Sequence, residues 1–154
     1  MAVINTSSVA DFCKKLTARA RDIKERVEAM NNKRVVVGIP ADATYPNGQK
    51  VAEVAELITY GVQENGSPMK AGPRRFIEVA TEENKQKWNR MLQDGVREAL
   101  RREKKPNLRP LMIKLGEEMQ NDIRNTMLDM DIYDPGRMLN SISILQINNE
   151  RILD

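Results

Sequence analysis

Three stretches of this chain place apolar residues at three- and four-residue steps over long distances, and between the first two stand only one short β-branched run and one short helical pattern. In the first, Val9, Phe12, Cys13, Leu16, Ala20, Ile23, Val27 and Met30 line one face of a helix of about six turns. Ile77, Ala80, Trp88, Met91, Leu92, Gly95, Ala99 and Leu100 do the same in the second, and Leu111, Met112, Leu115, Met119, Ile123 and Met127 in the third. A doubly wound sheet needs strands alternating with helices along the whole chain, and the strands here are too few. The expected fold is α+β, with long amphipathic helices packed on a small, mostly antiparallel sheet. The expected order is α-β-α-α-α-β, with a last strand where residues 147–152 turn back as a hairpin.

The boundaries follow from turn chemistry. Ser7 and Ser8 supply a cap for the first helix, with Asp11 as a short capping-box variant, and Asn31-Asn32 ends it. Arg34–Ile39 reads as a strand closed by Pro40. A loop over 40–50 leads to a short helix with Val51, Val54, Ala55 and Ile58 on one face, ending at Gly61. A second loop, Gln63–Gly72, is followed by Pro73, which suits the first turn of a long helix that breaks before Pro106. Another helix starts at Pro110. A turn at Asp134-Pro135-Gly136 precedes an alternating strand through Ile142 and Ile144. At 154 residues this reads as one domain, 1–154: a core over 34–145, an N-terminal helix over 1–33 and a C-terminal strand or arm over 146–154.

Composition narrows the chemistry. The chain has no histidine and one cysteine, which removes most metal sites, histidine-dependent triads and any disulfide framework, and Cys13 reads as a small buried hydrophobe. No cofactor and no metal are expected. Aromatics make up only 4% of residues, and nine methionines supply adaptable packing volume in their place. The net charge of +3 is mild and favours a negatively charged neighbour. No apolar run approaches a membrane span, and MAVINTSS lacks the charged and apolar regions of a signal, so assembly in a cytoplasm away from membranes is expected.

The stretch Val35–Gly61 (VVVGIPADATYPNGQKVAEVAELITYG) superficially resembles a phosphate-binding loop between strand and helix. That motif needs G-x-x-x-x-G-K-[ST]. Gly38 and Gly48 are too far apart, Gln49 separates Gly48 from Lys50, and Val51 stands where a hydroxyl is required. Paired carboxylates, Glu53 with Glu56, Glu82-Glu83 and Glu117-Glu118, lie on polar faces among lysines and arginines and read as solvated helix surface. Asp129, Asp131 and Asp134 lack an EF-hand's glycine and closing glutamate. More weight falls on Arg97, Arg101, Arg102, Lys104, Lys105 and Arg109, set against only Glu98 and Glu103. This cluster fits either a dipole-complementing helix end or a contact with DNA or an acidic partner. No aromatics interleave with it for base stacking.

Three elements, in order, resemble small neck and tail-completion (head-tail joining) proteins of long-tailed bacteriophages. A strand ending V-G-I/F-P, a variable loop and a V-A-x-x-A-x-x-x-x-Y/F-G helix correspond to Val35–Gly61. The family's proline-arginine-phenylalanine element corresponds to MKAGPRRF, Met69–Phe76. Its D-T-G-x-L-x-x-S-I turn and strand correspond to DPGRMLNSISI, Asp134–Ile144. Arg74 alters the spacing of the second element, and Pro135 stands where threonine is usual in the third.

The resemblance implies no enzyme and no catalytic residues. It implies a structural virion protein at the tail or neck that completes the tail and joins it to the head. The protein would form a ring with itself, six-fold to match the tail, between a head-closure or connector protein and the tail terminator or tail tube protein. Tape-measure protein or DNA would pass through its channel. A ring of one chain needs heterologous contacts. The loop Tyr45, Pro46, Asn47 and Gly48, and the loop containing Ser67, Pro68, Met69 and Lys70, are the expected subunit-interface loops. Tyr60-Gly61 and Phe76 are expected to pack helix junctions within one protomer. The basic stretch then faces the channel or an acidic neighbouring ring, and the neighbouring ring is favoured because a channel that DNA traverses should not hold it tightly. The competing reading is a small DNA-binding protein using residues 97–109, whose binding would weaken steeply with salt.

Overall fold

The computed structural model describes residues 14–15, 17–26, 33–103, 106–132, 136–148 and 150–151. Ser7, Ser8, Asp11, Cys13, Asn31-Asn32, Lys104, Lys105, Asp134 and Pro135, on which part of the sequence reading rests, lie outside these residues. The architecture is α+β, with long helices packed together and on a three-stranded antiparallel sheet.

Residues 14–15 and 17–26 form helix α1. Strand β1 (Val35–Gly38) follows, then α2 (Val51–Tyr60), α3 (Phe76–Arg102), α4 (Arg109–Asp129), a short α5 (Arg137–Ser141), β2 (Ser143–Ile147) and β3 (Glu150–Arg151). In the sheet β2 is central. Val35 pairs with Ile147 and Gly38 with Ser143, with an irregularity between Val36 and Val37, and β3 returns along β2 through a turn at Asn148 (φ 52°). β2 crosses residue 145, so the core and the C-terminal arm share one sheet.

Helix α4 lies across the sheet. The approach depends on Gly116: a Cβ there would stand 2.7 Å from Ile144 Cδ1 and 3.0 Å from Val35 Cγ2. Helix α3 folds back along α4, and Gly95 serves the same purpose, since a Cβ would meet Leu111 Cδ1 at 2.2 Å. A glycine inside a helix costs roughly 1 kcal/mol relative to alanine, so both positions are explained by close packing. Between α2, the start of α3, the end of α4 and α5 lies the main core of Val51, Ala55, Phe76, Ala80, Ile123, Met127, Met138 and Ile142.

Several expectations change. Helix α3 begins at Phe76, not at Pro73, because Met69 N–H bonds to Gly61 O (2.7 Å) and Arg74 N–H to Ile58 O (3.0 Å), holding 69–74 against the end of α2. Ile77, one residue into α3, is exposed, and the helix buries Phe76, Ala80 and Trp88. Ala20 and Ile23 in α1 are exposed instead of packed. Ile142 precedes the strand, because residues 137–141 coil into α5, where Asn140 N–H bonds to Gly136 O (2.8 Å). Arg124 on α4 fastens this corner by donating Nε to Leu139 O and Nη2 to Ile142 O, both at 3.0 Å. Among the described residues, no helix is long and apolar enough to cross a membrane.

Candidate functional site

The two loops expected at subunit contacts prove to be the same turn built twice, one at each end of α2. In the first, Gly48 N–H bonds to Tyr45 O (2.9 Å), Tyr45 N–H bonds to Gln49 O (2.8 Å), and Thr44 bridges to Lys50. In the second, Gly66 N–H bonds to Gln63 O (2.8 Å), Gln63 N–H bonds to Ser67 O (2.8 Å), and Val62 bridges to Pro68. Asn47 accepts Gln49 N–H through its side chain, and Asn65 accepts Ser67 N–H in the same way. Gly48 (φ 86°) and Gly66 (φ 79°) take the left-handed conformation that closes such a hairpin.

Both are tight turns closed by their own backbone hydrogen bonds. Tyr45 and Met69 are half-buried against the chain's own core, while Pro46, Asn47, Gly48, Pro68 and Lys70 are exposed and Ser67 is half-buried. The Gln49 amide donates to the Glu64 carboxylate, clipping the turns together. Leu57 and Val54 lie beside the clip in an open groove also lined by Gln63 and Met69. The groove continues past Glu53, Glu56 and Tyr60. Glu53, Glu56 and Glu64 are all exposed, and α2 itself carries no lysine or arginine. One surface therefore combines three carboxylates with a half-buried apolar strip.

Tyr60 belongs to this surface. It is 60% exposed and does not pack the helix junction, as Gly61 and Phe76 do. Helix α2 closes in a Schellman ending, with Gly61 N–H on Ile58 O (3.2 Å) and Val62 N–H on Leu57 O (3.0 Å). That ending turns Tyr60 outward. Gln49, Leu57 and the pairing of the turns were missed from sequence. The repeated Asn-Gly of YPNGQ and QENGS was the available signal.

The basic stretch is dispersed. Arg97 faces Asp94 (3.1 Å), Arg101 and Arg102 both face Glu98 (3.7 and 2.9 Å), and Arg109, at the start of α4, pairs with Glu150 on β3. All four are exposed, so each pair contributes no more than about 1 kcal/mol. Among the described residues, no three acidic, cysteine or histidine side chains gather where a cation could sit. Asp131 takes a left-handed conformation (φ 51°), and its carbonyl accepts from Arg74 Nη1 at 3.1 Å.

No family model, no curated protein and no solved structure matches the chain.

Proposed function

We infer that the chain is a structural assembly protein of a bacteriophage neck, a self-associating ring that completes the tail and joins it to the head. The observation that carries this reading is the surface of paired turns. Two Asn-Gly turns stand at the two ends of α2, clipped by Gln49 and Glu64, on the segment that resembles the phage family. A preorganised rigid surface suits assembly, since little ordering entropy is lost on contact. The mechanism in this reading is binding energy repeated over identical heterologous interfaces, with head-closure or connector protein on one side and tail terminator or tail tube on the other. Tape-measure protein or DNA passes through the channel, and no catalytic residue is required.

DNA binding through residues 97–109 draws less support, because each described arginine there already faces a carboxylate and the residues spread over two helices. The deciding experiment is electron microscopy of particles made after deletion of the gene from the phage or prophage that carries it. Unjoined heads, with tails absent or abnormal at the head-proximal end, are expected. Normal joined virions overturn the proposal.

A further inference from the structure

The described part of helix α1 is largely uncovered in the single chain, and only Arg26 at its end is half-buried. Every described residue from 14 to 25 is exposed, and Ile23 is 53% exposed. A free helix of this length is marginal in water, because nucleation is costly and most helical stability in proteins comes from burying an apolar face. The sequence supplies such a face, with Phe12, Leu16, Ala20, Ile23 and Val27 at three- and four-residue steps. Lys15 and Arg19 fall along one edge of that stripe by the same spacing, followed on it by Asp22, which pairs with Arg26 at 2.9 Å. Residues 14–26 hold six basic side chains against two acidic ones, a net charge of +4.

The α2 surface has the opposite character. Glu53, Glu56 and Glu64 surround the Leu57 strip, and Tyr60 stands exposed at its end. Among the described residues both surfaces are exposed in the same molecule, so residues 17–25 of α1 do not cover the α2 groove of their own chain. We propose that α1 of one copy docks, apolar stripe inward, on the α2 surface of the next copy, with Lys15 and Arg19 against Glu53, Glu56 and Glu64. This contact joins two different surfaces, so repeating it propagates head-to-tail and can close a ring. It rests on the reading of the chain as a self-associating ring and names the contact that builds it. Opposite charges set partner and register, and the apolar strip supplies the desolvated centre.

The test uses two full-length proteins, both with Cys13→Ser, one carrying Ile23→Cys and the other Leu57→Cys. On mixing under oxidation, a disulfide-linked heterodimer is expected, and Ile23→Cys mixed with Glu82→Cys should give none. A disulfide that forms only when both cysteines are in one chain, or in no combination, overturns the proposal. Sedimentation of the cysteine-free protein provides an independent arm. Lys15→Glu with Arg19→Glu should weaken self-association at least about tenfold, as should Glu53→Lys with Glu56→Lys, and combining all four should restore it. Self-association indifferent to all of these changes, or a chain that sediments as a monomer at every concentration, also overturns the contact. The neck reading is judged separately by the particles of the gene deletion, so the two can fail independently.

Discussion

The indole N–H of Trp88 on α3 donates to Asp122 Oδ2 on α4 at 2.7 Å, and the other oxygen of the same carboxylate accepts from Lys87 Nζ at 2.8 Å. One acid therefore joins the two long helices through both a buried and a solvent-facing donor: Trp88 is 8% exposed and the Lys87 side chain 43%. Replacing Asp122 by alanine leaves the indole N–H unsatisfied in a nearly closed position, which should cost about 1–3 kcal/mol. Asp122→Asn keeps an acceptor for the indole and should cost clearly less. Urea unfolding followed by the fluorescence of the single tryptophan reads both. Equal losses for the two variants would refute the indole bond as the main contribution.

Lys87 also meets Glu118 Oε1 at 2.7 Å, and its pKa is held above the usual lysine value of 10.5. The hydrogen bond to Asp122 is the largest cause and that to Glu118 the next; burial acts in the opposite direction, and the charges of the same two carboxylates add to the rise. A folded-state pKa raised above the unfolded value gives stability that is fully present below the unfolded pKa. That stability is lost as pH rises through the folded pKa. Stability should therefore fall through the alkaline range above 10.5 more steeply in the parent protein than in Lys87→Met. Solvent screening keeps the effect small. Identical alkaline slopes in denaturant titrations would show that the lysine contributes nothing.

Gly116 sets how closely α4 approaches the sheet. Alanine is the better helix former by about 1 kcal/mol, but its Cβ would lie 2.7 and 2.9 Å from two atoms of Ile144 and 3.0 Å from Val35. Both neighbours are β-branched and belong to paired strands, so neither yields readily. Overpacking typically costs about 1–3 kcal/mol. Gly116→Ala should therefore be destabilised despite its propensity, and Ile144→Val, which removes the nearest carbon, should recover part of the loss. A Gly116→Ala protein more stable than its parent contradicts the packing.

Where structure is set by near neighbours in sequence, the chain announced it. The β-branched run ends at Gly38, α3 stops at Arg102 before Pro106, and Pro110 lies in the first turn of α4. The hairpin after Ile147 likewise forms beyond a left-handed asparagine. Where distant backbone groups decide, the local pattern misled. Pro73 looks like a helix start, yet Ile58 and Gly61 capture the segment around it. The alternation of Ile142 and Ile144 looks like strand, yet Arg124 takes the Ile142 carbonyl and α5 forms before it. The candidate surface was half visible. Its two turns are written in the repeated Asn-Gly, but their alignment depends on a side-chain contact between Gln49 and Glu64 across the whole of α2.

The glycines around that surface should separate strain from collision. Gly48 (φ 86°) and Gly61 (φ 68°) are both left-handed, so alanine at either carries a conformational penalty of about 1 kcal/mol. Nothing lies within 4 Å of a Cβ at Gly48, and the penalty there should stand alone. At Gly61 the Cβ would stand 2.4 Å from Pro73 N and 2.5 Å from Gly72 C. These are backbone atoms held by the Met69–Gly61 and Arg74–Ile58 hydrogen bonds, so relief requires breaking the path from α2 into α3. Gly61→Ala should lose at least about 2 kcal/mol more than Gly48→Ala, counting one or two of those hydrogen bonds at about 1 kcal/mol each besides the collision. Denaturation midpoints of the two variants measure this difference. Matching losses would mean that the α2–α3 junction is free to shift and that the α2 surface is not rigidly held.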